Sequence, residues 1–285
     1  MKIDRLPNQI SRNDFGLLLE LTLRHPWLIR KSSAFYDLLS VCESEREASL
    51  VLDLVSRINF FTPNDQLDAR RRICDKITKE WSLTQVETQI IAINDRELAD
   101  SSSAYVQQMK GVFAETCGWK TPNFINGLGA AVERVADGKA IVVVDDFCGS
   151  GESVSGKVDW IKKKLDEQKK TCRIYVAVAA AMEQSKNAIE PLVDSYFAVT
   201  WLKRGISDYL SDPELTAAFT DMKRLESILH KRYGRKKLQD YSFGWRASEA
   251  LYYSEGDNPP NNNFPLFWWP RLNTGPERDV LIPRI

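Results

Sequence analysis

The chain has 285 residues, of which 43% are hydrophobic and 27% charged, a composition typical of globular proteins that excludes disordered and collagen-like classes. Lys and Arg number 39, as do Asp and Glu, so the net charge gives no long-range attraction for nucleic acid. The sequence has five cysteines with no C-x-x-C pair and only two histidines, so we expect reduced cysteines and no structural zinc. Because no segment has the pattern of a membrane span or a signal peptide, we expect a cytoplasmic protein without a membrane partner.

The first part of the chain has a helical pattern. From about residue 12 to residue 82 the apolar residues recur at helical spacing. Ser44 with Glu47 predicts a capping box, and the segment Thr62-Pro63-Asn64-Asp65 indicates a break before a basic helix. We therefore expect residues 1–84 to form an N-terminal helical region.

Near Thr88 the pattern changes to short β-rich runs that alternate with helices. The sequence predicts strands at TQIIAIND, Ala140–Val144, Arg173–Ala180 and Tyr196–Thr200, with a helix over Ser153–Lys170. Such alternation predicts an α/β fold, in which a parallel sheet carries helices on both faces. Ligands of these sheets bind beyond the carboxyl ends of the strands.

The C-terminal part has a different pattern of residue types. A helical pattern from Pro213 to Gly234 ends in a basic run, and Ser248–Ser254 is predicted as a strand. Trp268 and Trp269 follow a Pro- and Asn-rich segment and could stack on a base, but hydrophobic anchoring of the tail is the favoured interpretation. The basic run is either a solvated face or a contact for nucleic acid.

The most informative segment is IVVVDDFCGSGES, residues 141–153. Asp145 and Asp146 come directly after four buried-strand residues, where both side chains can reach a ligand as the chain turns. Buried carboxylates need partners, which vicinal ribose hydroxyls and a divalent cation chelated by a diphosphate would supply. The two acids are therefore candidate catalytic residues.

A glycine loop, residues 149–153, follows the acids. Gly149, Ser150 and Gly151 let backbone amides approach an anion, while Ser150 and Ser153 add hydroxyl donors at a helix start. A Walker loop is excluded because no lysine precedes the terminal serine, and a dinucleotide fingerprint is excluded because the glycines follow two acids. Cys148 is rejected as a nucleophile because no histidine lies near it in the sequence.

This segment resembles the phosphoribosyl diphosphate motif of type I phosphoribosyltransferases, with serine twice in place of threonine. The resemblance implies a phosphoribosyltransferase-like core over residues 85–285, with a C-terminal strand and aromatic tail. It implies that Asp145 and Asp146 hold the ribose hydroxyls and, through the bound diphosphate sugar, Mg²⁺. It also implies that the 5-phosphate is bound by the loop residues Gly149, Ser150, Gly151, Glu152 and Ser153. Glu152 departs from the usual glycine or lysine, and Gly149 replaces the acid typical of purine enzymes, which disfavours purine salvage.

Two further groups are candidates for substrate binding. Ser101, Ser102 and Ser103, assisted by Lys110, either form the diphosphate loop or simply cap a helix. Lys203 and Arg204 follow the last core strand, where Arg204 either binds a phosphate in a bidentate manner or belongs to a solvated turn.

Residues 200–209 and the tail GDNPPNNNFPLFWW are similar to a narrower group, the phosphoribosyltransferase-like effectors of bacterial antiphage systems, some of them associated with retrons. This likeness is expected to cover the chain from about Thr88 onward. It implies an enzyme acting on phosphoribosyl diphosphate or a nucleotide at the anomeric carbon. It leaves open a catalytically inactive nucleotide-sensing subunit, and a toxin-like subunit silenced by a reverse transcriptase with its nucleic acid.

Overall fold

A computed structural model describes residues 12–92 and 101–284. The chain divides into two compact units. One, the discontinuous unit, comprises the chain up to Phe60 together with the chain from Arg204 onward; the other, the sheet unit, comprises Phe61–Lys203. The predicted domain boundary between residues 84 and 85 differs from the boundaries of these units, which lie between residues 60 and 61 and between residues 203 and 204.

The described residues contain nine strands and ten α-helices, together with short 3₁₀ and π turns. The strands are β1 (Asn59–Phe61), β2 (Thr88–Ala92), β3 (Phe124–Ile125), β4 (Ala140–Cys148), β5 (Arg173–Met182), β6 (Ser195–Leu202), β7 (Arg232–Tyr233), β8 (Lys236–Lys237) and β9 (Tyr252–Ser254). The helices are α1 (Arg12–Arg24), α2 (Ser32–Ser40), α3 (Glu45–Ser56), α4 (Pro63–Asp75), α5 (Ser101–Cys117), α6 (Leu128–Arg134), α7 (Glu152–Glu167), α8 (Lys186–Ile189), α9 (Glu214–Ser227) and α10 (Pro265–Trp268). No helix in these described ranges is both long enough and apolar enough to cross a membrane.

The sheet unit is built on five parallel strands in the order β3-β2-β4-β5-β6. This arrangement confirms the α/β class with a parallel sheet. β4 lies at the centre of the sheet, pairing with β2 through Ile141 to Val144 and with β5 along almost its whole length. Three predicted strands are correct in place but shorter than observed, since β4 continues to Cys148, β5 to Met182 and β6 to Leu202. The run TQIIAIND gives β2 as far as Ala92, and its last residues lie outside the described ranges. The short strand β3 was not predicted.

Alternate residues of β4 enter different hydrophobic clusters. Val142 and Val144 pack with the buried face of α5, whereas Ile141 and Val143 pack with that of α7. Because successive strand residues point to opposite faces, a continuous apolar run fits a strand that is covered on both sides. Helices on both faces fix β4, and with it the position where the two aspartates emerge.

The discontinuous unit joins distant parts of the chain through ion pairs whose carboxylates are buried. The guanidinium of Arg224 on α9 binds Glu47 on α3 with an Nε to Oε1 distance of 2.6 Å, and Glu47 is only 5% exposed. Arg46 binds Asp221 through two bonds of 2.6 Å. Apolar side chains of α2, α3 and α9 share one core. These contacts link the N-terminal helices to the C-terminal segment within this unit.

Helix caps agree with the sequence in part. The Ser44 hydroxyl accepts a hydrogen bond from the Glu47 N–H, as predicted, but the Glu47 carboxylate accepts from the N–H of Glu43 instead of closing a box on Ser44. The full capping box lies at α4, where Thr62 and Asp65 exchange hydrogen bonds. The segment predicted as a chain break is therefore also the helix start.

The tail follows the predicted anchoring role. Trp268 and Trp269 are 1% and 0% exposed and pack with Leu229. The helix predicted over Pro213–Gly234 ends at Ser227, because the basic run folds into the antiparallel hairpin β7–β8. The strand predicted over Ser248–Ser254 is confined to β9.

Candidate functional site

The two candidate acids lie in the last part of β4, towards its carboxyl end. Asp145 is paired with Val178 of β5, so the strand is still hydrogen-bonded where the first carboxylate appears. Both aspartates are half-buried, in contrast to the fully buried residues 140–144 that precede them. The sheet thus presents two adjacent carboxylates at the edge where parallel sheets bind ligands.

Each carboxylate is oriented by the backbone that follows it. The Asp146 N–H donates to Oδ1 of Asp145, and the Phe147 N–H donates to Oδ1 of Asp146, both at 2.9 Å. These bonds restrict the rotation of both side chains. A carboxylate held in this way needs little reordering when it accepts a hydroxyl donor from a ligand.

The glycine loop then turns the chain into α7. Gly151 is the N-cap residue and has φ of 83°, a left-handed conformation that favours glycine. A Cβ at this position would lie 3.1 Å from Cβ of Ala188 and 3.2 Å from the carbonyl oxygen of Ser185. The position therefore requires glycine both for its backbone conformation and for its close packing.

The start of α7 has the features of an anion site. The Glu152 N–H donates to the Ser150 hydroxyl at 3.4 Å, which draws the loop around the helix end. First-turn amides of a helix have no intrahelical acceptor, and the helix dipole favours an anion beside them. Glu152 and Ser153 are both exposed, which agrees with the expectation that the Glu152 side chain turns away from the predicted phosphate site.

Behind the loop lies a polar group that the sequence does not reveal, which we call the support cluster: Cys148, Ser185 and Tyr196. The hydroxyls of Ser185 and Tyr196 are 2.9 Å apart, and Ser185 Oγ also donates to the carbonyl of Met182 at 2.7 Å. The Cys148 thiol lies beside both hydroxyls, which lower its pKa in part. These bonds hold the segment after β5 against Gly151.

The support cluster is neutral at physiological pH. Burial raises the pKa of Cys148 to about 11, and burial also raises the pKa of Tyr196. A thiol that stays protonated is a poor nucleophile, which agrees with the rejection of Cys148 from catalysis.

The predicted diphosphate-side residues lie at and beyond the start of α5. Ser101 begins that helix; the structure gives no side-chain information for Ser101 and Ser102, and the preceding residues 93–100 lie outside the described ranges. Ser103 is half-buried in the first turn. Lys110 is seven residues further on, which places its Cα roughly 10 Å along the helix from that of Ser103. Only the serines are therefore at the helix end, and the diphosphate role of this group stays a prediction.

Lys203 and Arg204 occupy the segment after β6. Lys203 is exposed and ends the sheet unit, whereas Arg204 begins the second segment of the discontinuous unit. The Arg204 guanidinium donates to Oδ1 of Asp208 from Nη2 at 2.8 Å and from Nε at 3.1 Å, and this partner raises the Arg204 pKa. A phosphate would compete with Asp208 for Arg204, and the contact favours the solvated-turn interpretation.

The sequence profile that matches this chain spans residues 42–284 and describes the family PRTase-CE. The chain belongs to the PRTase-CE family. This confirms the predicted resemblance at the level of phosphoribosyltransferase-type proteins. The match begins at Cys42, well before the expected start near Thr88, so part of the N-terminal helical region belongs to the family's pattern.

Solved structures of phosphoribosyltransferases are similar to this PRTase-CE protein over about half of its length. The Helicobacter pylori xanthine-guanine-hypoxanthine phosphoribosyltransferase is 13% identical, with 49% of this chain and 84% of that chain covered and a TM-score of 0.33. The orotate phosphoribosyltransferase from Aeropyrum pernix is 13% identical, with 47% and 69% covered and a TM-score of 0.30. A hypothetical protein from Neisseria gonorrhoeae with bound ppGpp is 16% identical, with 51% and 85% covered and a TM-score of 0.35. At these scores we infer no substrate from them. No curated protein matches the sequence.

A magnesium site in this PRTase-CE protein would depend on the ligand. The described residues contain no group of three or more His, Cys, Asp or Glu side chains able to hold a metal ion by themselves. Mg²⁺ commonly binds through one or two carboxylates together with substrate phosphates and water. Asp145 and Asp146 fit that second arrangement, because they offer two adjacent carboxylates at the ligand-binding edge of the sheet.

Proposed function

We propose that this protein is a phosphoribosyltransferase-like enzyme that acts at the anomeric carbon of phosphoribosyl diphosphate or of a nucleotide. The observation that carries the proposal is the pair of half-buried, backbone-oriented carboxylates of Asp145 and Asp146, with the glycine loop at the start of α7 two residues further along the chain. Sugar recognition needs acceptors for a diol, and phosphate recognition needs amide donors. This segment supplies both in the order of the motif.

Cleavage at the anomeric carbon depends more on the positioning of the sugar than on a strong nucleophile. The bond between the anomeric carbon and the diphosphate oxygen breaks, the electron pair leaves with diphosphate, and water or a base nitrogen then bonds to that carbon and loses a proton. Asp145 and Asp146 hold the ribose hydroxyls and place negative charge near the developing oxocarbenium centre. The glycine loop fixes the 5-phosphate, which anchors the sugar. Mg²⁺, when bound with the diphosphate, neutralises charge on the leaving group.

Release of diphosphate from phosphoribosyl diphosphate in the presence of Mg²⁺ tests this proposal. We expect the purified protein, alone or with its partner, to release diphosphate faster than the uncatalysed reaction by several orders of magnitude. A wild-type protein that neither binds nor turns over the compound in either context would contradict the proposal.

A nucleotide-sensing subunit without catalysis is the second candidate. Glu152 favours it, because it stands in the first turn of α7 where a phosphoribosyltransferase commonly has glycine or lysine, and such a departure from the motif suits a relative that keeps the ligand site without its chemistry. Binding of phosphoribosyl diphosphate without release of diphosphate would select this candidate over the enzyme.

The resemblance to antiphage effectors supports a cytoplasmic role in bacterial defence, in which a reverse transcriptase and its nucleic acid control a toxin-like subunit. The basic hairpin β7–β8 in the discontinuous unit is the contact we propose for the nucleic acid. Its five cations, Lys231, Arg232, Arg235, Lys236 and Lys237, form no salt bridge within the described ranges. Burial, and to a lesser degree the charge of Arg284, lower the pKa of Lys236, and five cations close together in the sequence favour a polyanion as the partner.

Neutralising the hairpin is expected to weaken nucleic-acid binding in a salt-dependent way. With single-stranded RNA, the triple change Arg232→Ala, Arg235→Ala and Lys237→Ala should reduce the slope of log affinity against log salt by roughly 2, because each lost phosphate contact contributes about 0.7. The measurement is fluorescence anisotropy at several salt concentrations.

The matched control removes three cations from α7, by Lys157→Ala, Lys162→Ala and Lys163→Ala, and should leave the slope close to the wild-type value. Equal slopes for the wild type and the hairpin variant would refute the proposed contact. An equal reduction of the slope in both triple variants would also refute the proposed contact, since the effect would then depend on net charge alone.

A further inference from the structure

Two thiols of the sheet unit lie next to each other. Cys74, in the last turn of α4, and Cys117, the last residue of α5, have their Sγ atoms 3.9 Å apart. The other three cysteines, Cys42, Cys148 and Cys172, make no contact with a second sulfur within the residues described. A disulfide has an S–S distance of about 2.05 Å, so this pair alone needs an approach of only about 2 Å.

The two thiols differ in their exposure to solvent. Cys74 is fully buried, and burial together with the neighbouring Cys117 raises its pKa to about 12. Cys117 is exposed, and Gly118 directly after it has a φ of 71° that ends the helix. Cys117 Sγ donates a hydrogen bond to the Phe113 carbonyl at 3.2 Å, a contact that the sulfur would leave on bonding to Cys74. Cys117 is also the thiol that a soluble oxidant reaches first.

We propose that Cys74 and Cys117 form a reversible disulfide that links α4 to α5, by exchange with a low-molecular-weight disulfide. In the first step the Cys117 thiolate attacks one sulfur of that disulfide, the S–S bond breaks, and one small thiol leaves. In the second step the buried Cys74 thiol loses its proton, and its sulfur, which lies 3.9 Å from Cys117 Sγ, attacks that atom while the second small thiol leaves; because burial raises the pKa of Cys74 to about 12, we expect this step to be slow at neutral pH and faster as the pH rises. The two protein thiols lose two electrons and two protons, which the small disulfide gains.

The bond would restrain the part of the chain that carries the candidate diphosphate residues. It would close a segment of 117 − 74 = 43 residues that contains β2 and the first turn of α5 with Ser103. Closing a loop of this length restricts the unfolded chain, so the oxidised protein is expected to melt roughly 5–15 °C above the reduced one. Dithiothreitol should reverse the shift.

Thiol counting after equilibration with oxidised glutathione tests the proposal. The protein is quenched in acid, unfolded, labelled with a maleimide and weighed intact. Three of the five cysteines should be labelled in the wild type, with the loss of two hydrogen atoms and a cross-linked peptide joining Cys74 to Cys117. Cys172→Ser, which removes a half-buried cysteine elsewhere in the sheet unit, should still form the cross-link.

The single variants separate a disulfide from simple oxidation. Cys74→Ser should accumulate glutathione on Cys117, because the second step is blocked, whereas Cys117→Ser should keep its four thiols, because Cys74 is buried. Reduced forms of both variants should melt close to the wild type, which shows that they fold. Five labelled cysteines in the oxidised wild type, or glutathione that stays on Cys117 without a cross-link, would overturn the proposal.

Discussion

Replacing Gly151 by alanine should lower the free energy of unfolding by roughly 2–4 kcal/mol and abolish most of the affinity for ribose 5-phosphate. The left-handed backbone at φ of 83° is costly for any residue with a Cβ. The new methyl group would also press on Ala188 and on the Ser185 carbonyl at 3.1 and 3.2 Å, and backbone there cannot move without disturbing the support cluster. Relief of either contact would shift the amides that we propose as donors to the phosphate.

The matched control for Gly151→Ala lies one and a half turns further along the same helix. Gly156 is exposed, and a Cβ built there meets no atom within 4 Å. Because alanine is the better helix former, Gly156→Ala should raise the free energy of unfolding by about 1 kcal/mol. Urea denaturation and calorimetry measure both quantities. If Gly151→Ala behaves like Gly156→Ala in stability and in affinity, the geometry assigned to the glycine loop is wrong.

Asp145→Asn and Asp146→Asn should each reduce turnover of phosphoribosyl diphosphate by about 10²–10⁴-fold while preserving the fold. The amide has the size of the carboxylate, and its carbonyl oxygen can still accept the backbone N–H that follows at 2.9 Å. What is lost is the negative charge and one acceptor for a ribose hydroxyl. The measurement is diphosphate release under saturating Mg²⁺, with the melting temperature followed in parallel.

Asp159→Asn is the control for these two changes. Asp159 is exposed on α7, so the same chemical change there should leave the rate within about twofold of the wild type. Full activity in Asp145→Asn and Asp146→Asn would remove both residues from the catalytic role. Loss of activity together with a collapsed melting temperature would assign them a structural role instead.

The strand, acids, loop and helix between residues 140 and 167 could be predicted because each feature is local. A run of β-branched residues marks a strand covered on both faces, and glycines that follow two acids after two intervening residues mark a turn that favours glycine. The end of β4 was placed too early at Val144. The polar side chains of Asp145 and Asp146 indicate the end of a strand, but backbone pairing with β5 continues as far as Cys148.

Long-range contacts could not be predicted from one sequence. The support cluster combines residues from the ends of β4, the turn after β5 and the start of β6, and nothing in the local pattern around Tyr196 points to Cys148. The ion pair of Arg224 with Glu47 joins residues 177 positions apart and helps to define the discontinuous unit. Likewise, the sequence leaves Arg204 open to either phosphate binding or a solvated turn, and only the structure shows its ion pair with Asp208.

The most direct test of the central claim compares two sugars by calorimetric titration, ribose 5-phosphate and 2-deoxyribose 5-phosphate, with the wild type and the double variant Asp145→Asn/Asp146→Asn. A hydrogen bond from a hydroxyl to a carboxylate contributes about 1.5–3 kcal/mol, so the wild type should prefer ribose 5-phosphate at least about tenfold. The double variant should bind the two sugars with affinities within about twofold of each other. A wild type that does not distinguish them, or a preference that survives in the double variant, would contradict the claim that these carboxylates hold the ribose hydroxyls.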